Sequence, residues 1–421
     1  MLKILHFADA HIDITRTGRH DAQTGLPLRV LDFLNALDAI VDAAIEEKVD
    51  LVLFCGDAYR DRTPQPTFQR EWGRRMMRLS QAKIPTLLIV GNHDLSPATG
   101  RAHALQEYET LQIPFIHVAS QPAVLGSEQL FDLPLQVIAL PWVTRSSLIN
   151  SQKEEENKRG AGKDELGEYL AQLLRNFLDE LSPELPAVLA GHLSVQGATY
   201  GNERSVMLGR DAVLPINLFS HPRLDYVALG HIHKAQQLCE KPPVVYPGSI
   251  ERIDFGEVGE QKYFVMAQVE KGHARLEWRA LKGRKFFDRR VELTCSENIQ
   301  EQLQAALPDP DEMQDAIGRL VVVYPREWEA FIDEPALRRY AQSALEFHFI
   351  RRPLLTSTDR LHGGLPLFEK SVPELLDSYW HNLGLTKKES QKLNDLAREI
   401  MVAVNTGSEP PSQELPLQET A

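Results

Sequence analysis

The run Thr86-Leu-Leu-Ile-Val90, leading directly into Gly91-Asn92-His93-Asp94, decides how the rest of the chain is read. Consecutive aliphatic and β-branched residues suit a strand buried on both faces, and the glycine that follows permits a tight turn. Three polar side chains are thereby delivered to the end of a sheet, where α/β proteins usually hold their chemistry. An amide oxygen can bind a hard metal, an imidazole can ligate or transfer a proton, and a carboxylate can orient that imidazole. Alone, the tetrapeptide is also an ordinary turn sequence, so its meaning depends on whether other strands end in the same way.

They do. Leu2 to Phe7 precedes Asp9-Ala10-His11, and Leu51-Val-Leu-Phe-Cys55 precedes Gly56-Asp57. Pro186-Ala-Val-Leu-Ala190 precedes Gly191-His192, and Asp225-Tyr-Val-Ala-Leu229 precedes Gly230-His231-Ile232-His233. Polar residues scattered without purpose would fall mostly on surfaces and helices, so convergence at one end of a sheet is the better explanation. Gathered, Asp9, His11, Asp57, Asn92, His192, His231 and His233 offer hard oxygens and imidazoles but no thiolate. That set suits two hexacoordinate first-row cations rather than a structural zinc. Two cations about 3.5–4 Å apart need a carboxylate that bridges them, and Asp57, between the two groups in sequence, is the candidate. Such a pair activates water and clamps a phosphoryl oxygen, which points to phosphoester hydrolysis.

At 421 residues, 43% hydrophobic and 25% charged, the chain is long enough for one large domain with one or two smaller ones. No apolar run approaches membrane-spanning length, and Met1 to Phe7 reads as a strand rather than a secretory signal, so a cytoplasmic location without membrane association is expected. Cys55, Cys239 and Cys295 are odd in number and far apart, which suggests neither disulfides nor a thiolate metal site. A net charge of -13 argues against coating nucleic acid by bulk attraction. Local patches remain candidates: Lys271, Arg275, Arg279, Lys282, Arg284, Lys285, Arg289 and Arg290 stand against Glu277 and Asp288 alone, and a second cluster comprises Arg60, Arg62, Arg70, Arg74, Arg75 and Arg78.

From Leu2 to about Lys282, short apolar runs alternate with amphipathic stretches, an α/β pattern. Apolar residues at Leu31, Leu34, Leu37, Val41, Ala44 and Ile45 predict a helix over 28–47, and a basic helix ends near Ser80. The polar stretch 147–166 predicts an exposed loop, followed by a helix through Leu181. A hairpin is expected from Gln261 to Leu281 around Glu270-Lys-Gly-His273. Residues 283–355 restart a small βαβ-like pattern, with strands near 287–293 and 320–324 and a helix near 335–345, and read as a separate cap domain. A linker over 356–370 contains Leu361-His-Gly-Gly-Leu-Pro366; two short helices, 372–383 and 387–402, occupy 371–404; and 405–421 reads as a disordered tail.

The series Asp9-Ala-His11, Gly56-Asp57, Gly91-Asn-His-Asp94, Gly191-His192 and Gly230-His-Ile-His233 resembles the calcineurin-like metallophosphoesterases. Tyr246-Pro-Gly-Ser-Ile-Glu-Arg-Ile-Asp-Phe-Gly-Glu257 more narrowly resembles the SbcD-type nuclease subunits of bacterial double-strand-break repair complexes. The likeness is good up to Glu257 and holds only in outline beyond it. It implies an α+β fold of two packed mixed β-sheets flanked by helices in four layers, with a small α/β cap domain over 283–355 and a C-terminal helix pair. It also implies two manganese ions, with magnesium a possible substitute.

By the same resemblance, Asp9, His11, Asp57 and His233 would ligate one ion, and Asp57, Asn92, His192 and His231 the other. His93 would be the catalytic acid for the leaving 3′ oxygen, with Asp94 fixing its tautomer. The implied activity is a 3′ to 5′ double-strand exonuclease and endonuclease, acting as a homodimer on DNA ends with an SbcC-type coiled-coil ABC ATPase docked on the helix pair. Arg60, Arg252, Arg275, Arg279, Lys282, Arg284 and Lys285 are the candidate DNA contacts. Two departures from the family pattern bear on how a DNA end is held: Arg60 stands where Asp or His is usual, and Ile12-Asp13 replaces the commoner Leu-Gly. A stand-alone phosphodiesterase for small nucleotides is the alternative enzyme, with less need of the chain beyond Lys282. A scaffold that binds no metal is disfavoured by seven intact donors.

Overall fold

In the computed structural model the described residues are 1–96, 101–144, 165–201, 212–354, 373, 376, 377, 379, 380 and 385–406. The first strands are β1 (Leu2–Phe7), β2 (Leu51–Phe54), β3 (Thr86–Ile89), β4 (Ile116–Ala119), β5 (Ala123–Leu125), β6 (Gln136–Leu140) and β7 (Ala187–His192). They are followed by β8 (Ser194–Val195), β9 (Val213–Leu214), β10 (Tyr226–Gly230), β11 (Gln236–Glu240), β12 (Pro243–Tyr246), β13 (Tyr263–Glu270) and β14 (His273–Ala280). Between them lie the helices α1 (Leu28–Glu46), α2 (Pro66–Gln81), α3 (Gln106–Leu111) and α4 (Glu165–Glu180).

Two six-stranded sheets result, ordered β14-β13-β1-β2-β3-β4 and β11-β12-β10-β7-β6-β5. In the first, β1 to β4 are parallel and β13 runs antiparallel to β1, with Leu2 opposite Val269. In the second, β12, β10, β7 and β6 are parallel, and the edge strands β11 and β5 are antiparallel. Both sheets are therefore mixed.

Strand alternation sorts the side chains into layers. Leu51 and Leu53 of β2 and Leu87 and Ile89 of β3 join Val137, Val188, Ala190 and Ala228 of the other sheet in one buried cluster. Their neighbours Val52, Phe54 and Leu88 pack instead with Phe33 and Leu37 of α1 and Trp72 and Met76 of α2. On the far side, Leu189, Val227 and Leu229 pack with Leu170, Leu174 and Leu178 of α4. The order is helix, sheet, sheet, helix, the four layers expected. A strand buried on both faces has no polar face to alternate with, which is why these runs read as continuously apolar.

His6 shows what a core histidine looks like here. It is fully buried between the sheets, with Nδ1 2.8 Å from the Tyr226 hydroxyl and Nε2 3.2 Å from the Leu229 carbonyl oxygen. Burial pushes its imidazole down to about 3, so it is a neutral link between β1 and β10 rather than a ligand.

Contacts divide the chain into two compact units. The first comprises Met1–Asp288, Asp309–Arg319 and Gln342–Phe347, and the second Arg289–Pro308, Leu320–Ala341 and His348–Ala421. The expected boundary at 282 moves accordingly, because 309–319 and 342–347 return to the first unit. Beyond β14 come β15 (Phe286–Glu292), α5 (Ile299–Ala305), β16 (Ile317–Pro325), α6 (Glu334–Tyr340) and β17 (Glu346–Leu354), with a three-stranded sheet ordered β15-β16-β17. Neither α5 nor β17 is announced by the sequence pattern. β17 is an edge strand whose residues from Ile350 onward are all exposed, so it carries little apolar alternation. At the C-terminal side stands α7 (Lys387–Thr406). Of the expected helix 372–383, the described residues 373, 376, 377, 379 and 380 are helical, and Trp380 Nε1 donates to Asn394 Oδ1 at 2.9 Å. The loop expected over 147–166 (save its last two residues, the start of α4), the linker and most of the tail fall outside the described residues. Among the described residues, no helix is long and apolar enough to cross a membrane.

Candidate metal centre

All seven residues proposed as donors lie at or just beyond the C-terminal ends of β1, β2, β3, β7 and β10, and the structure brings them to one place. The loops that carry them are tied by backbone: Asp9 N–H donates to Gly56 O at 2.9 Å, and the N–H groups of Ala10 and His11 donate to Asp57 O at 2.9 and 3.1 Å. Asp9 (φ 51°), His11 (φ 37°), Asp57 (φ 63°) and His231 (φ 99°) occupy the left-handed region. Such conformations cost ~1–3 kcal/mol each and persist only where the surroundings impose them, as at binding sites. Gly91 is required for a different reason. A Cβ there would meet Asp57 Oδ1 at 2.2 Å and Asp57 N at 2.4 Å. Gly91→Ala is therefore expected to displace Asp57 and lower cleavage about 100-fold, the cost of misplacing a reacting group by an ångström, while circular dichroism shows the fold retained. Wild-type turnover in that variant would show that Asp57 need not stand where it does.

The ligand atoms form two overlapping groups: Asp9 is close enough to share a cation with His11 and His233, and also with Asp57 and His192. On one side, His11 Nε2 lies 3.3 Å from His233 Nε2 and 3.8 Å from Asp57 Oδ2, and Asp9 completes a set of donor atoms close enough to share a cation. On the other, His192 Nε2 lies 3.4 Å from Asp57 Oδ2 and 2.9 Å from Asn92 Oδ1, and His231 Nδ1 lies 3.1 Å from that same amide oxygen. Asp57 Oδ1 accepts the His93 backbone N–H at 2.8 Å, leaving Oδ2 as the oxygen that faces both groups. Asp9 accepts the His231 N–H on both carboxylate oxygens, at 3.1 and 3.0 Å.

The electrostatics fit a cation. Burial alone would raise the Asp57 carboxyl, but His192, His93 and His11 hold it well below the usual carboxylate range. Burial opposes a charge on His192, yet the Asp57 carboxylate pushes that imidazole up to about 9. The His192 Nδ1–H donates to Cys55 O at 2.7 Å, so the extra proton sits on Nε2, aimed at Asp57 and Asn92. Positive charge is drawn to the point where those three atoms meet, and a divalent cation would take the place of that proton. Burial pushes His11 well below its ordinary value, keeping it in the neutral form that ligates. Trp142, two residues beyond β6, packs its ring 4.9 Å from His231 and 6.1 Å from His192.

A family model of calcineurin-like phosphoesterases matches residues 2–235 of this chain. The chain belongs to the calcineurin-like phosphoesterase family. This phosphoesterase is 24% identical over 284 residues to the SbcD component of the nuclease SbcCD of Escherichia coli strain K12, and equally to that of strain O157:H7. The similarity covers 64% of this chain and 66% of each relative. Among solved structures, a dimetal phosphatase from Danio rerio matches with a TM-score of 0.41 at 12% identity, over 66% of this chain and 96% of its own. TT1561 of Thermus thermophilus matches with a TM-score of 0.38 at 14% identity, over 67% and 99%. These scores are low, so the fold assignment rests on this chain's own sheets.

Two expectations for the phosphoesterase need correction. Asp94 does not orient His93. Its carboxylate accepts the backbone N–H groups of Asp57, Ala58 and Gly91, each at 2.9 Å, and so braces the loop that carries Asp57. Burial and the neighbouring Asp57 charge push Asp94 up to about 7. His93 Nδ1 lies 2.6 Å from the Arg60 carbonyl oxygen instead, to which its N–H donates. That contact is invisible in sequence because a carbonyl is common to every residue type.

Several cations proposed to meet DNA are committed within the protein. Arg284 grips both carboxylate oxygens of Asp32 at 2.5 Å and donates to Asp315 O at 2.6 Å. Arg252 donates to the carbonyl oxygens of Arg284 and Glu260, and Arg279 pairs with Glu47 at 3.1 Å. In the second cluster, Arg75 and Arg78 reach across from α2 to Asp38 of α1, at 2.6 and 3.0 Å, while Arg70 and Arg74 pair with Glu71. Arg60 is exposed, with Nη1 donating to Ile14 O at 3.2 Å, and Arg275, Lys282 and Lys285 are exposed. Sequence reasoning missed the packing of Trp142 on His192 and His231 and the contact of the Arg60 carbonyl with His93. Trp142 follows a strand, β6, that the sequence pattern did not single out.

Proposed function

We propose that this chain is a metal-dependent DNA nuclease, degrading duplex ends 3′ to 5′ and also cutting internally, in double-strand-break repair with an SbcC-type ATPase. The observation that carries this reading is the single cluster of seven donors with Asp57 Oδ2 facing both halves. The similarity to the SbcD component of the nuclease SbcCD supports DNA as the substrate and a coiled-coil ATPase as the partner. Asp9, His11, Asp57 and His233 would hold one cation, and Asp57, Asn92, His192 and His231 the other, with manganese preferred and magnesium a substitute. Bound there, the two ions would supply Lewis-acid activation of water and neutralise charge on the phosphodiester.

The chain's own groups do the rest. His93, with its Nδ1–H held by the Arg60 carbonyl, keeps Nε2 to carry the proton that the leaving 3′ oxygen needs. Asp94 holds the Asp57 loop, and Trp142 packs against the imidazoles of His192 and His231. Arg60, Arg275, Lys282 and Lys285 are the exposed cations for phosphate contact. The second unit is assigned to positioning duplex DNA, the C-terminal helices to docking the ATPase, and a homodimer is the proposed assembly.

The test compares an end-labelled linear duplex with a panel of cyclic and linear dinucleotides in manganese, with and without the ATPase and ATP. Degradation of the duplex from its 3′ ends is expected, together with cleavage of a blocked end when the ATPase is present. Turnover of small nucleotides alone would favour the stand-alone phosphodiesterase.

A further inference from the structure

Behind His233 lies a buried carboxylate to which neither ligation nor proton transfer gives a task. Glu257, 2% exposed, ends the short 3-10 turn Phe255–Glu257, with Oε1 3.3 Å from His233 Nδ1. Its Oε2 lies 2.8 Å from Lys262 Nζ, accepts the Ile253 N–H at 3.0 Å and stands 3.5 Å from Ser249 Oγ. Lys262 is 1% exposed, and its ammonium also donates to the His233 carbonyl oxygen at 3.1 Å and to Glu260 Oε2 at 3.0 Å. One buried ammonium thus grips both the backbone that carries the imidazole and the carboxylate behind it. The turn is pinned in turn by Phe255, which lies under the Arg319 guanidinium at 4.5 Å and edge-on to Phe286 at 5.6 Å.

Burying Lys262 and Glu257 carries a desolvation penalty that an apolar pair of the same volume would avoid. The arrangement makes sense if the carboxylate has a directional task. We propose that Glu257 is a positioning residue for the metal centre: it accepts the Nδ1–H of His233, leaving the lone pair on Nε2, which faces His11 Nε2 across 3.3 Å. Lys262 fixes Glu257 for that role. The proposal rests on Asp9, His11, Asp57 and His233 holding one cation, and it predicts that disturbing Glu257 affects that cation and not the one between Asn92, His192 and His231.

Calorimetric titration of the metal-free full-length chain with manganese chloride tests it. Wild type is expected to bind two ions, and Glu257→Gln to bind one of them about 10–100-fold more weakly with the other unchanged. Glu257→Asp, which keeps the charge on a shorter arm, is expected to fall between the two, and the metal-free melting temperature of each variant reports on folding. In His233→Ala the further change Glu257→Gln is expected to have no additional effect on affinity. Equal binding by Glu257→Gln and wild type, or equal weakening of both ions, would overturn the positioning role. Failure of wild type itself to bind manganese would instead remove the metal assignment on which the role depends.

Discussion

His93→Ala is expected to lower phosphodiester cleavage by about 10²–10⁴-fold, the usual contribution of a positioned general acid, while leaving two manganese ions bound and duplex affinity intact. The separation follows from how His93 is attached. Its tie to Asp57 runs through the backbone N–H, which alanine retains, so the Asp57 carboxylate keeps its 2.8 Å contact and its orientation. Only the imidazole, held by the Arg60 carbonyl at 2.6 Å, is removed. Single-turnover cleavage of an end-labelled duplex, beside a manganese titration of the same preparation, reads both halves of the prediction. Cleavage at the wild-type rate would mean that the leaving oxygen obtains its proton elsewhere; loss of manganese along with activity would mean that His93 ligates.

Asp57→Asn is expected to be more damaging, because it acts on both ions. The native carboxylate is buried, with Oδ2 facing imidazole nitrogens from both groups of donors. Asparagine removes the one anionic oxygen that faces both groups of donors, so each cation would lose a charge-neutralising ligand. Manganese content is expected to fall from two ions per chain to less than one, whereas His233→Ala is expected to lose a single ion. Retention of one tightly held ion by Asp57→Asn would show that Asp57 serves only one group.

The convergence of the seven donors was legible in the sequence because parallel strands buried on both faces leave unbroken apolar runs, and a polar residue just past such a run has one place to go. Gly91 marked the turn for a physical reason that the structure supplies: only a residue without Cβ lets the His93 loop lie against Asp57. The fold core followed from the same runs. What the sequence did not disclose depends on partners far apart in the chain. Arg284 reads as a free cation in sequence and is matched to Asp32, and Arg75 and Arg78 of α2 are matched to Asp38 and Asp42 across the helix pair. Asp94 next to His93 suggested a catalytic pair, but three backbone amides claim it. Strand β17 and the return of 309–319 and 342–347 to the first unit rest on tertiary contacts that leave no apolar period.

The central claim is that seven side chains hold two cations that share Asp57. Anomalous diffraction from crystals of the full-length chain grown with manganese tests it most directly. Two peaks are predicted, one among Asp9, His11, Asp57 and His233 and one among Asp57, Asn92, His192 and His231, each within coordination distance of Asp57. A single peak remote from Asp57, or no peak among these side chains at saturating manganese, would contradict it.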